Sequence, residues 1–122
     1  MNGPSPHLSW SELACRDRIR TPYPLDWRDS RAVVLAGAFE ALRARIGGLP
    51  LVVLSAYRTA AHNRAVGGVP GSQHLQGRAL DLRPPDGWTP IELAAVAQDI
   101  PAIRGIGVYS TFMHMDVRDE EH

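Results

Sequence analysis

One aspartate constrains the fold of this chain more than any other residue. Asp81 lies in RALDLR, residues 78–83, whose alternating character predicts a strand with Leu80 and Leu82 on the opposite face. A carboxylate in an otherwise apolar strand is unfavourable unless it meets a cation or several hydrogen-bond donors. We therefore expect this strand to present Asp81 to a polar site while its other face packs in the core.

Two histidines accompany Asp81 in a pattern typical of a metal site. His74 and Asp81 belong to SQHLQGRALD, and His114 lies in FMHMDV near the C terminus. The period of two in FMHMDV puts His114 and Asp116 on one side of a strand. Two imidazoles and one carboxylate form a normal ligand set for catalytic zinc, with a fourth position open for water or substrate. A surface or core role for either histidine is the alternative that spacing alone leaves open.

The remaining patterns predict one α+β domain over residues 1–122. A small antiparallel sheet, built from strands near 51, 78, 105 and 112, would carry the metal on one face with helices around it. The expected elements are a short helix capped by Ser9 and Glu12, a helix at 30–46, a strand at 51–55, a small helix at 60–66, a strand at 78–83, a helix at 90–99 and strands in GIGVY and FMHMDV. The segment RDRIRTPYPLDW is expected to be an ordered loop that docks through Tyr23, Leu25 and Trp27.

Composition excludes several partners. Thirteen basic and thirteen acidic side chains cancel, so no net field attracts the chain to nucleic acid or to an anionic membrane. No stretch approaches the ~20 apolar residues of a membrane span, and no signal peptide is visible at the N terminus. The single cysteine, Cys15, has no partner for a disulfide or a thiolate site, and we expect it to be a half-buried small residue.

These motifs resemble those of the zinc D-Ala-D-Ala carboxypeptidases and murein endopeptidases, which group with the vancomycin-resistance D,D-dipeptidases and the hedgehog domain. The likeness runs from HLSWSELACRD through SAYRTAAHNRAVGGVPGSQHLQGRALDLRPP to GIGVYSTFMHMDVR, and it is greatest for the compact, phage-associated branch. The resemblance implies that His74, Asp81 and His114 bind one zinc ion. It also implies that Arg58 reaches the scissile carbonyl oxygen and that Ser72 lies beside the substrate. The alternative for Arg58 is a surface arginine at a strand end.

The function implied by the resemblance is hydrolysis of a peptide bond in peptidoglycan stem peptides. D-Ala-D-Ala carboxypeptidase is the first choice, and an L-Ala-D-Glu or cross-link endopeptidase is the second. A non-catalytic module that keeps the zinc is the alternative from another class. We expect a monomer that binds peptidoglycan peptide, is made in the cytoplasm and reaches the cell wall by lysis or phage-type export.

The sequence departs from this family at one position. Many relatives carry an acid three residues before the last zinc histidine, where this chain has Thr111. Asp116 is therefore our candidate general base. Two other roles stay open: Asp116 could orient a ligand imidazole, or it could bind zinc while His114 handles protons. For His62 and Asn63, which also match the family pattern, a structural role in the glycine turn is favoured.

Overall fold

A sheet of four antiparallel strands forms the centre of the structure, a computed structural model that describes residues 2–119. The strands are β1 (Val52–Ser55), β2 (Ala79–Arg83), β3 (Gly105–Val108) and β4 (Met113–Asp116). Their spatial order is β1-β2-β4-β3. The central pair, β2 and β4, aligns Asp81 with His114, so the two residues are direct cross-strand neighbours. The predicted α+β class with a small antiparallel sheet is confirmed.

The helices that follow Ser9 and Thr89 begin at these predicted capping residues. The helices are α1 (Trp10–Leu13), α2 (Arg31–Arg45), α3 (Ala60–Ala65) and α4 (Pro90–Ala97), with 3-10 turns at Leu25–Trp27 and Gln73–Gln76. Ser9 with Glu12, and Thr89 with Glu92, each form a complete capping box. Helix α4 ends two residues before the predicted boundary because Gln98 already serves as its C-cap. None of the described helices is long and apolar enough to cross a membrane.

One face of the sheet is the hydrophobic core. Leu80, Leu82, Met113 and Met115 have no exposed surface and pack with α2 and α4 residues such as Phe39. Burial of a side chain of this size stabilises a fold by about 1.5–3 kcal/mol. The alternation in β2 and β4 then leaves Asp81 and His114 on the opposite face, away from the core.

The Arg- and Pro-rich segment is ordered, but one of its expected anchors is wrong. Tyr23 is 1% exposed, and Trp27 packs against the core. Leu25 is 75% exposed, because the 3-10 turn from Leu25 to Trp27 directs successive side chains to different sides. Tyr23 and Trp27 instead form an edge-to-face cluster with Tyr57, with ring centroids 6.1–6.3 Å apart. Cys15 is fully buried rather than half-buried.

Candidate metal centre

His74, Asp81 and His114 converge on one point of the polar face of the sheet. The Oδ1 atom of Asp81 lies 3.1 Å from Nε2 of His74 and 3.1 Å from Nδ1 of His114. The three potential ligand atoms all lie within 4.8 Å of one another. His74 and Asp81 are buried, and His114 is partly buried. The three residues predicted as metal ligands therefore share one site.

The turn between His74 and β2 is held by aromatic packing. His74 lies in the 3-10 turn Gln73–Gln76, which begins at Ser72 and ends at Gly77 with a left-handed φ of 67°. The hydroxyl of Tyr23 donates to the Gly77 carbonyl at 2.6 Å. A Cβ at Gly77 would lie 2.8 Å from atoms of both Tyr23 and Trp27. Glycine is required here both by conformation and by close approach, and the turn directs His74 back toward Asp81.

The partner of each imidazole fixes which of its nitrogens carries a proton. Nδ1 of His74 lies 2.6 Å from the carbonyl oxygen of Ala56, which can only accept. Nε2 of His114 lies 2.7 Å from a carboxylate oxygen of Asp116, which likewise accepts. In the neutral rings, the proton is therefore on Nδ1 of His74 and on Nε2 of His114. The opposite nitrogen of each ring has a lone pair directed at Asp81.

This arrangement fits a metal ion. Two lone pairs and a carboxylate oxygen face one another without a donor between them, so the site needs a cation or a proton on each ring. A tetrahedral zinc ion with bonds of about 2.0–2.2 Å has ligand atoms about 3.3–3.6 Å apart, close to the 3.1 Å contacts here. The donor set is that of catalytic zinc sites, in which three protein ligands leave one position open.

Without a metal, the same groups behave as a coupled charge cluster. Burial alone would raise the pKa of Asp81, but hydrogen bonds from His114 and His74 outweigh it and hold that pKa well below its usual range. Burial alone would lower the pKa of His114, but hydrogen bonds to Asp116 and Asp81 raise it to about 9. The pocket of acceptors therefore favours positive charge at its centre.

Asp116 lies behind His114 and has no exposed surface. Its Oδ2 atom contacts Nε2 of His114 at 2.7 Å and Nη2 of Arg118 at 2.7 Å, while Oδ1 accepts from Nε of Arg118 at 2.7 Å. Burial alone would raise the pKa of Asp116, but the hydrogen bonds from Arg118 and His114 hold it well below its usual range. Gly105, its cross-strand partner, makes room for the carboxylate, since a Cβ there would lie 2.3–2.5 Å from its atoms.

Arg58 is held on the other side of Asp81. Its guanidinium donates to Ser55 Oγ and to Asn63 Oδ1, each at 3.2 Å, and lies 3.5 Å from Oδ2 of Asp81. Asn63 is buried and also donates to the Val69 carbonyl at 2.9 Å. Asn63 thus joins Arg58 to the glycine turn.

An open cleft of about 560 Å³ lies over these residues. Five of the predicted site residues line it, namely Arg58, Ser72, His74, Asp81 and His114. The loop at 66–71 forms one lip, and the β3–β4 hairpin forms the other with the stacked rings of Tyr109 and Phe112, whose centroids are 4.6 Å apart. Ser72 accepts from the His74 backbone N–H at 3.2 Å. Asp116 lies outside the lining, whereas Arg118 belongs to it.

Sequence reasoning missed three neighbours of the candidate site residues, one beside His74 and two beside Asp116. The Ala56 carbonyl is a backbone group, for which the sequence carries no signal. Gly105 faces Asp116 only through the β3–β4 register. Arg118 could have been found, because a cation two residues after a strand carboxylate lies on the same face.

A His/Asp/His group beside an open cleft, with two of its members buried, is an arrangement that metallohydrolases use. Residues 6–116 match the family model described as Peptidase M15. The match covers most of the chain, and the chain belongs to this peptidase family, as the sequence resemblance predicted. Comparison with curated proteins finds no match. The roles of Arg58, Ser72 and Asp116 stay predictions.

Proposed function

We propose that this chain is a zinc peptidase that hydrolyses a peptide bond in bacterial peptidoglycan stem peptides. D-Ala-D-Ala carboxypeptidase is our first choice, and an L-Ala-D-Glu or cross-link endopeptidase is the alternative. The observation that carries the proposal is the convergence of two imidazole lone pairs and the Asp81 carboxylate at the floor of an open cleft. Family membership supplies the peptidase class.

His74, Asp81 and His114 would hold the metal ion. When bound, zinc supplies Lewis-acid polarisation of a substrate carbonyl and lowers the pKa of a coordinated water. The protein keeps both histidines in the tautomer that ligation requires, through Ala56 and Asp116 respectively.

Arg58 is the group we propose for the oxyanion that develops as water attacks the scissile carbonyl. Its guanidinium lines the cleft and is fixed by Ser55 and Asn63, so little reorganisation is needed during the reaction. Its Nη2 atom lies 3.5 Å from Oδ2 of Asp81, a long contact that leaves this donor only weakly engaged. The planar guanidinium matters here, because it presents several donors in a fixed arrangement.

For Asp116 we favour the orienting role over that of general base. A base must come within hydrogen-bond reach of the attacking water, directly or through one water. Asp116 has no exposed surface, lies outside the cleft lining and uses both oxygens on His114 and Arg118. These contacts support an indirect action through His114, by fixing the ring and raising its basicity as a ligand.

A non-catalytic zinc module is the second candidate, and one observation favours it. Among residues 2–119, Asp81 is the one acidic residue that lines the cleft, and it is itself a candidate ligand. No other carboxylate of these residues lines the cleft to serve as general base. Thr111 stands exposed in the hairpin turn and cannot accept a proton as a carboxylate would. A chain that binds stem peptide without turnover would have the same ligand set and the same cleft.

Mass spectrometry of muropeptides before and after digestion tests the proposal. A carboxypeptidase releases D-alanine, and an endopeptidase creates new amino groups at L-Ala-D-Glu or cross-link positions. We expect products with wild-type protein, none after chelation, and none with His74→Ala. Zinc-loaded protein that binds stem peptide but yields no product would favour the module.

We further propose synthesis in the cytoplasm and access to the wall by lysis or phage-type export.

A further inference from the structure

We propose that Arg118 binds a carboxylate of the substrate peptide at the end of the cleft opposite Arg58. The proposal deepens the proposed function and rests on it, since it names a chemical group of the substrate. Arg118 lines the cleft, and its side chain is 42% exposed. The carboxylate beneath it, Asp116, has no exposed surface. The guanidinium is thus a cation at the cleft surface anchored on a buried anion.

The anchor fixes the orientation of the guanidinium. Nε and Nη2 of Arg118 each donate to a different oxygen of Asp116 at 2.7 Å, which is the bidentate geometry of strong arginine–carboxylate pairs. A ligand that binds a pre-oriented side chain loses less conformational entropy than one that must order it. The hydrogen bonds that Arg118 donates to Asp116 also raise the pKa of Arg118, so the group stays cationic.

One nitrogen of the Arg118 guanidinium remains for a ligand. Nη1 of Arg118 makes no hydrogen bond within the described residues, 2–119, although Nε, Nη2 and the backbone N–H all bond to Asp116. Nη1 has two N–H donors, and Nη2 has a second one that points away from its bond to Asp116. These donors suit an anionic oxygen better than a neutral carbonyl, because a charge-assisted bond is shorter and stronger.

Two arginine side chains, Arg58 and Arg118, line the cleft. Contacts run in a series from Arg58 through Asp81, His114 and Asp116 to Arg118, so the two guanidinium groups lie at opposite ends of the ligand cluster. In the part of the chain that the structure describes, Asp81 is the one acidic residue that lines the cleft. Its carboxylate contacts both imidazoles, at 3.1 Å each. A peptide carbonyl at Arg58 would leave Arg118 to meet a charged group further along the same peptide.

Two carboxylates of a stem peptide could supply that group. One is the free C-terminal carboxylate of a terminal D-alanine, as in a carboxypeptidase substrate. The other is the free carboxylate of an internal D-glutamate, as in an endopeptidase substrate. Both present the same chemistry to Arg118, and selective amidation of one or the other distinguishes them.

The test uses three stem pentapeptides whose D-Ala–D-Ala and L-Ala–D-Glu amides are replaced by ketomethylene links, which keep the carbonyl but have no C–N bond to hydrolyse. One has both carboxylates free, one is amidated at the C terminus, and one is amidated at D-glutamate. Calorimetric titration into zinc-loaded protein gives each Kd without turnover. We expect one amidation to weaken wild-type binding by about ten- to a hundredfold, the range for a hydrogen bond to a charged group.

Variants of Arg118 separate recognition from structure. Arg118→Gln should abolish the acid-over-amide preference, while Arg118→Lys should keep most of it because a cation remains beside Asp116. Arg45→Gln, a change of the same kind at an exposed helix position, should bind as wild type. Equal wild-type affinity for all three peptides would overturn the proposal, as would equal weakening of all three by Arg118→Gln. Absence of products from the natural peptides would contradict the proposed function alone.

Discussion

Replacing Asp116 by asparagine tests how the protein controls its second histidine ligand. The two side chains have nearly the same shape, but the amide has one acceptor oxygen where the carboxylate has two. Both oxygens of Asp116 are used: Oδ2 contacts His114 and accepts from Nη2 of Arg118, and Oδ1 accepts from Nε of Arg118. The site has no exposed surface that would let water replace a lost partner.

Either orientation of the new amide is unfavourable. If its oxygen stays on His114, its NH₂ group faces the Nε–H of Arg118 across a 2.7 Å contact, donor against donor. If the amide flips, its NH₂ faces Nε2 of His114 and favours the tautomer with the proton on Nδ1, the nitrogen that must face the metal. Loss of a partner that orients a metal-bound histidine weakens binding about ten- to a hundredfold, or about 1.4–2.7 kcal/mol.

The assay is zinc affinity by competition with a chromogenic chelator, measured alongside turnover. We expect Asp116→Asn to bind zinc ten- to a hundredfold more weakly and to regain part of its activity in excess zinc. Asp119→Asn, the same change at a 71% exposed carboxylate, is the control and should bind zinc as wild type. Unchanged zinc affinity with turnover lowered a hundredfold or more would refute the orienting role and support a general base. Loss of nearly all zinc would make Asp116 a ligand.

Three further predictions concern neighbouring groups. Arg58→Lys should retain zinc but lower turnover about ten- to a thousandfold, because lysine lacks the planar donor arrangement; unchanged kinetics would assign Arg58 to the surface. Gly105→Ala should weaken zinc binding much as Asp116→Asn does, since its Cβ would lie within 2.5 Å of the Asp116 carboxylate. Gly37→Ala is the control: its Cβ would meet no atom within 4 Å, and zinc binding should not change. The pKa of His114 is raised to about 9 in the metal-free protein, so zinc binding at pH 7 must release the proton of its imidazole. Calorimetry in buffers of different ionisation enthalpy should detect the release of close to one proton. Zinc affinity should also rise from pH 7 to 9.

Much of the fold follows from local patterns in the sequence. The alternation in RALDLR and FMHMDV gives strands whose apolar residues face the core, because the period of two leaves few other ways to bury them. The helix starts at Ser9 and Thr89 follow from capping boxes that act within four residues. Leu25 shows the limit of this reasoning. Its expected burial is wrong, because its exposure depends on how a proline-rich turn packs against distant aromatic rings, which no local pattern encodes.

The candidate site divides in the same way. His74, Asp81 and His114 could be named from the sequence because the chemistry of a ligand set is visible in residue types and in strand faces. The groups around them could not be named, since Ala56 holds His74 through a backbone atom and Gly105 faces Asp116 only through cross-strand register. For the same reason, the choice among three roles for Asp116 could not be made from spacing.

The two histidines differ in the group that fixes their tautomer, and this difference gives Arg118 a structural role. The Ala56 carbonyl holds His74 with a neutral dipole, which requires no compensating charge. Asp116 holds His114 with a full negative charge that has no exposed surface, and a buried carboxylate without a cationic partner is strongly unfavourable. When the metal is bound, His114 must be neutral, so its imidazole cannot balance that charge. Arg118 supplies the missing positive charge through two 2.7 Å bonds. The cation that balances this orienting carboxylate therefore lies at the surface of the cleft.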